Sequence, residues 1–249
     1  MKKGKVSNEN KGIQINKYIS NTGFCSRREA EKLIEQARVT INDELCLLSA
    51  RVNIGDIVEV DGEPLIKKTK PIYIAFNKPT GITSTTDLKD KTNIISFINH
   101  PKRIFPVGRL DKDSEGLILL TNDGELAHRA THPSYGLEKK YLVEVEGEFN
   151  KTFSDQLLQG VKLEDGLARA LKVVHLRAVS KNHHWVEITI HEGRYHIIRR
   201  LIESLGLKVL RLIRLEFGPI SLGDMKPGRH RVLNSQEQAN LFTLLKINL

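Results

Sequence analysis

After Ile72 the chain falls into short stretches that alternate apolar and polar residues with a period of two, and no other feature limits its fold as much. Tyr141 to Val145, Trp185 to Ile190 and Leu207 to Phe217 read as such strands, and Leu117 to Leu120 is a continuous apolar run. Ile72-Tyr73-Ile74-Ala75-Phe76 opens the series. Helical spacing is confined to about 151 to 159, 196 to 205 (ending at Gly206) and 236 to 246. Strands that outnumber helices and alternate predict an α+β fold, with a large domain over 72–249 built on a mainly antiparallel mixed sheet. No internal repeat recurs at a fixed period.

Residues 13–62 have a different grain. Ile15 and Ile19 are spaced four apart in a short helix that stops at Gly23. Ser26-Arg27-Arg28-Glu29 is a capping-box pattern, in which serine accepts from the glutamate amide and the glutamate side chain reaches back. Ala30, Leu33, Ile34 and Ala37 follow at helical spacing. Val39-Thr40-Ile41 before Asn42-Asp43 predicts a strand and tight turn, and Ile57 to Val60 before Asp61-Gly62 a second. The expectation is a small helix-helix-hairpin domain. Residues 1–12, polar and carrying four lysines, read as a disordered basic tail, and 63–71, with Lys67, Lys68, Lys70 and two prolines, as a linker.

The 249 residues leave room for two domains, and 39 % hydrophobic with 28 % charged residues suits a globular protein. No apolar run approaches the roughly 20 residues of a membrane span. The basic start is not followed by an apolar stretch, so no secretory signal is read. Cys25 and Cys46 show neither a disulfide framework nor metal spacing, so the expected compartment is the reducing cytoplasm. A net charge of +9 favours a polyanionic partner, since lysine and arginine release counterions from a phosphate backbone. Residues 13–63 hold six Lys or Arg against nine Asp or Glu. Within them Lys17, Arg27, Arg28 and Arg38 cluster, either as a solvated helix face or as a nucleic-acid contact.

Chemistry is concentrated in Gly108-Arg109-Leu110-Asp111-Lys112-Asp113-Ser114-Glu115-Gly116, just before the apolar run, with Asn122-Asp123-Gly124 as a turn after it. A loop bearing an arginine and carboxylates, pinned by a buried strand, can hold a catalytic group rigidly. It can equally be a surface turn with local ion pairs. His191, Glu192 and His196 superficially suggest a metal helix, but the histidines lie five apart and Gly193 interrupts, so no metal site is read.

Two resemblances narrow these alternatives. Asn16-Lys17-Tyr18-Ile19, Cys25-Ser26-Arg27-Arg28-Glu29-Ala30 and Arg38-Val39-Thr40-Ile41-Asn42 resemble the S-four RNA-binding domain in order and spacing. The resemblance implies that Lys17, Ser26, Arg27, Arg28 and Arg38 face RNA. The chain departs from it at Ala37 and Asp43, where the family commonly has glycine. Residues 108–124 resemble the active-site signature of the RsuA-type pseudouridine synthases. That resemblance implies an essential aspartate at Asp111, an active-site tyrosine at Tyr141 within Lys140-Tyr141-Leu142-Val143, and a basic partner at Arg199 within Glu192 to Leu201. Asn77-Lys78-Pro79-Thr80-Gly81 matches as well, whereas Ile197 stands where the family usually has glutamine.

The implied reaction breaks the bond from ribose to a ring nitrogen of uridine, turns the base, and rejoins it through carbon five. Nothing is oxidised or added, so neither cofactor nor metal is required. A carboxylate beside the sugar acts as nucleophile or as base. Tyr141 can stack on the base and help move the carbon-five proton. The base must first leave its helix, and Arg109 can fill the vacated space. The expectation is therefore a monomeric, cytoplasmic pseudouridine synthase acting on bacterial ribosomal RNA, free or in an assembling subunit. The segments 99–107 and 160–166 point to large-subunit members over small, and 192–196 to the small-subunit member. The competing expectation is a non-catalytic RNA-binding assembly factor on the same fold, against which Asp111, Tyr141 and Arg199 stand together.

Overall fold

The structure, a computed structural model, describes residues 12–66 and 70–247. All of the expected basic tail except Gly12, and positions 67–69 of the expected linker, lie outside the described residues. The chain divides into two compact units, one ending at Pro71 and one beginning at Ile72. No helix among the described residues is long and apolar enough to cross a membrane.

In the first unit β1 (Ile13–Gln14) leads into α1 (Ile15–Asn21) and α2 (Arg27–Glu35). Five short strands follow: β2 (Val39–Ile41), β3 (Glu44–Leu45), β4 (Arg51–Val52), β5 (Val58–Val60) and β6 (Glu63–Pro64). Four of them form an antiparallel sheet in the order β3-β2-β5-β6, while β4 pairs with β1. The capping box is present: Glu29 N donates to Ser26 Oγ at 3.2 Å and Ser26 N to the Glu29 carboxylate at 2.7 Å. Ile15, Ile19, Ala30, Ile34, Val39 and Val58 form the core. Glu63 and Pro64, read from sequence as the start of the linker, instead pair with Val60 and Glu59. Ala37 and Asp43, the two departures from glycine, sit at φ 56° and 68°. A left-handed backbone is the reason glycine suits both sites, and a side chain there costs roughly 1–2 kcal/mol.

The second unit is a nine-stranded sheet with helices on both faces. In chain order it comprises β7 (Tyr73–Lys78), α3 (Ile94–Ile98), β8 (Phe105–Val107), β9 (Glu115–Thr121), α4 (Gly124–Thr131) and β10 (Lys139–Glu146). Then come α5 (Lys151–Gln159), the hairpin β11 (Val161–Leu163) and β12 (Gly166–Ala168), β13 (Lys172–Ser180) and β14 (His183–Ile190). It closes with α6 (Ile197–Glu203), β15 (Lys208–Phe217), β16 (Ile220–Ser221), β17 (His230–Val232) and α7 (Ser235–Leu244). The path through the sheet is β13-β14-β10-β15-β9-β7-β17, with β8 beside β9 and β16 beside β15. Every pairing is antiparallel except β15 with β9.

Residues of β7 alternate between two cores, Ile74 and Phe76 facing one, Tyr73 and Ala75 the other. Phe153, Leu157, Leu201 and Ile202 cover the first side from α5 and α6. Leu126, Ala130, Leu241 and Phe242 cover the second from α4 and α7. Burial on both faces explains why β7 and β9 read as unbroken apolar runs while the outer strands alternate. One local expectation needs correcting. Asn122-Asp123-Gly124 is not a free-standing turn, because Asp123 accepts from Glu125 N and Leu126 N and starts α4.

Candidate active site

The loop between β8 and β9 carries the sequence motif, and its shape is set by bonds to its backbone. Ser84, buried, donates through Oγ to Leu110 O at 2.8 Å and accepts from Leu110 N at 3.1 Å. Lys112 O accepts from Gly81 N at 2.8 Å and, more distantly, from Lys78 Nζ at 3.4 Å. Ser114 N closes the turn onto Asp111 O at 3.1 Å. At the foot of β9 Glu115 holds Arg211 through bonds of 2.6 and 3.0 Å. Asp111 is thus presented half-exposed on a loop tied down through its backbone, and its Oδ1 lies 3.2 Å from His196 Nε2.

Asp111 stands at a pocket of about 330 Å³, at the small end for ligand sites. The pocket wall is built by strand register. Gly116 of β9 lies opposite Arg214 of β15, and Arg214 lies opposite Tyr141 of β10. The parallel pairing is close: a Cβ at Gly116 would stand 2.4 Å from Arg214 O, and its φ of 104° also demands glycine. Tyr141 is buried and Arg109 exposed, and both line the pocket. Arg199 does not line it. That residue is half-buried on α6, where Ile197, Ile198, Leu201 and Ile202 make the core contacts.

The most buried arginine in the wall is Arg214, 3 % exposed. Its Nε donates to Leu117 O at 2.6 Å and its guanidinium lies 5.0 Å from the Phe217 ring centre. One terminal nitrogen, Nη2, is buried without a hydrogen-bond partner among the described residues. So is Ser114 Oγ, which also borders the pocket. Sequence reading missed Arg214, although the cue was there: it falls in phase with buried Leu212 on an alternating strand.

Two buried lysines frame the site. Lys78 is fully buried at the end of β7 and donates to Pro79 O and Ile82 O at 3.0 and 2.8 Å. Lys139 borders the pocket and donates to Leu137 O and His191 O at 2.9 and 3.0 Å. Desolvation pushes both down to about 8; Arg214 adds to the effect, while Asp111 opposes it at Lys78 and Glu192 at Lys139. An unfolded lysine keeps its proton up to about 10.5. Between roughly pH 8 and 10.5 the unfolded chain therefore binds more protons, so stability should rise with pH there and fall as pH drops through 8. The melting temperature should climb across this window more steeply in the native protein than in Lys139→Met. Parallel slopes would show that Lys139 is not desolvated.

The first unit carries the other expected site residues. Arg27 and Arg28 are exposed at the start of α2, and Lys17 is half-buried on α1. Ser26 Oγ is already engaged as the cap of α2. Arg38 is exposed but holds Asp61 through a two-pronged pair of 2.8 and 2.5 Å, so much of its charge is matched within the unit. Phe24, 53 % exposed in the loop before α2, is an aromatic that the charge pattern did not reveal.

Residues 72–204 match the RNA pseudouridylate synthase family, and residues 15–58 match the S4 domain. The chain is 46 % identical to an uncharacterized RNA pseudouridine synthase of Aquifex aeolicus, over 92 % of this chain and 94 % of that protein. It is 38 % identical to the dual-specificity RNA pseudouridine synthase RluF of Escherichia coli, over 94 % of this chain and 80 % of that protein. A crystal structure of a pseudouridylate synthase covers 92 % of this chain and 100 % of its own, with a TM-score of 0.65 and 30 % identity.

Proposed function

The chain belongs to the RNA pseudouridylate synthase family, and from that premise we propose that it isomerises uridine in bacterial ribosomal RNA, acting as a monomer in the cytoplasm. Asp111 is the carboxylate that acts at the sugar, Tyr141 meets the base, and Arg214 takes the basic position that sequence assigned to Arg199. The observation that carries this reading is the row Gly116, Arg214, Tyr141 across three strands, which sets a buried cation and an aromatic ring beside the pinned Asp111 loop.

The chemistry fits these groups. The bond from the ribose anomeric carbon to N1 breaks, and the detached uracil turns inside a pocket bounded by Tyr141 and rejoins through C5. The C5 proton leaves and N1 gains one, so atoms and electrons balance without an oxidant. Asp111 serves as nucleophile toward the sugar or as base, and both roles need the ionised carboxylate. Arg109, exposed at the rim, is placed to fill the gap left by the flipped nucleotide.

The test is to incubate purified protein with unmodified transcripts of both ribosomal RNAs and map pseudouridine by chemical labelling and primer extension. A dual-specificity relative makes it necessary to score every uridine. Discrete new pseudouridines, expected in the large-subunit RNA, support the reading; binding without modification would leave an assembly factor. A chain starting near Lys70 should retain the reaction at saturating RNA but bind more weakly. Its salt dependence should be shallower by roughly one unit for each phosphate that Lys17, Arg27 and Arg28 no longer neutralise. Equal affinity and equal salt slope would remove the RNA-holding role from residues 13–62.

A further inference from the structure

Tyr195 is 76 % exposed, more than any Phe, Trp or other Tyr among the described residues, yet it is not loosely held. Its ring lies flat on His196, centres 3.8 Å apart and planes 14° from parallel. His196 in turn contacts Asp111, and both aromatic residues border the pocket. The backbone beneath them is clamped. Arg194 bonds Glu192 and Asp165 and the Leu167 carbonyl, at 2.5, 2.8 and 2.9 Å. Arg200 bonds Asp165 and holds Tyr195 O at 3.0 Å. His196 itself sits at φ 49°, a left-handed conformation that a non-glycine residue keeps only when its surroundings enforce it. The result is an aromatic ring with one face backed and the other presented to solvent at the mouth of the site.

We propose that Tyr195, backed by His196, is a stacking platform for the RNA base next to the uridine that enters the pocket. The inference rests on the functional reading above and extends it to a neighbouring nucleotide. Extruding one nucleotide strips its neighbour of a stacking partner, and an aromatic face replaces that partner for any base. The flipped uracil already has Tyr141 inside the pocket, so the outer ring is left for the neighbour. Because His196 joins the platform to Asp111, docking that neighbour also fixes the sugar relative to the carboxylate.

The experiment uses the full chain and the ribosomal RNA segment in which it forms pseudouridine. Short RNAs carry that uridine with either an intact or an abasic nucleotide on each side in turn. Tyr195→Ala should melt like the native protein, since the ring is mostly in solvent, and should lose roughly ten- to a hundred-fold in kcat/KM on intact RNA. Tyr195→Phe should stay within about two-fold, because a phenyl ring still stacks. An abasic neighbour on one side should cost the native enzyme a similar factor and cost Tyr195→Ala little more. Full activity of Tyr195→Ala on intact RNA, or losses that multiply at both neighbours, would overturn the platform while leaving the functional reading in place. A native protein that modifies no ribosomal RNA would instead overturn that reading, and this inference with it.

Discussion

Asp111→Asn is expected to abolish pseudouridine formation, by on the order of 10⁴-fold or more in single-turnover rate, which is about 5 kcal/mol of barrier. An amide of the same size is neither a nucleophile toward the sugar nor a base. The loop should not move, because Ser84, Gly81 and Lys78 hold it through backbone atoms of Leu110 and Lys112 and not through the carboxylate. The Asn amide oxygen can still accept from His196 Nε2 if that nitrogen carries the proton. RNA binding should therefore stay within a few-fold. The check is tritium release from RNA labelled at uridine C5, beside filter binding of the same RNA. Appreciable product from the variant, once contaminating enzyme and deamidation are excluded, would end the assignment of Asp111.

What could be read in the chain beforehand follows the range of the interactions involved. The strands at Tyr141, Trp185 and Leu207 and the helices near 151, 197 and 235 announced themselves because one face of each is buried and local periodicity records it. The Asp111 loop was legible because its residues are contiguous. Arg214 was not, because its place in the pocket wall depends on register: it lies opposite Gly116 on one side and Tyr141 on the other, residues far from it in sequence. Arg199 was assigned from the resemblance of Glu192 to Leu201 to the family's motif, and a motif in linear order does not say whether its side chain reaches the pocket wall, which Arg199 does not line. The small helix α4 was hidden for a different reason. Asp123-Gly124 is as good an opening for a helix as for a turn, and only the apolar pair Leu126 and Ala130 on the second core decides between them. Ser26 shows a further limit, since a residue read as facing RNA also has a complete local task as a cap.

Arg214→Leu should cost about a hundred-fold or more in kcat, whereas Arg199→Ala should cost less than about three-fold. Arg214 is a desolvated cation that spends Nε on Leu117 O and keeps Nη2 buried without a partner among the described residues. A buried donor left unsatisfied costs roughly 1–3 kcal/mol, and more when charged. Such a group is stabilised when an acceptor arrives, and under the proposed function the carbonyl oxygens of an incoming uracil are such acceptors. Removing it forfeits a charge-assisted bond from a buried donor, for which a two-decade loss is the expected scale. Leucine also leaves Leu117 O without its donor, so a thermal melt must accompany the kinetics. Arg214→Lys serves as the second variant: it keeps the charge but lacks the fork, and should recover part of the rate without recovering all of it. Arg199 has no comparable place, being half-buried on α6 and outside the pocket wall. If Arg199→Ala proves the more damaging substitution at equal stability, then the basic partner of Asp111 is on the helix after all, and the strand register is not the source of the site.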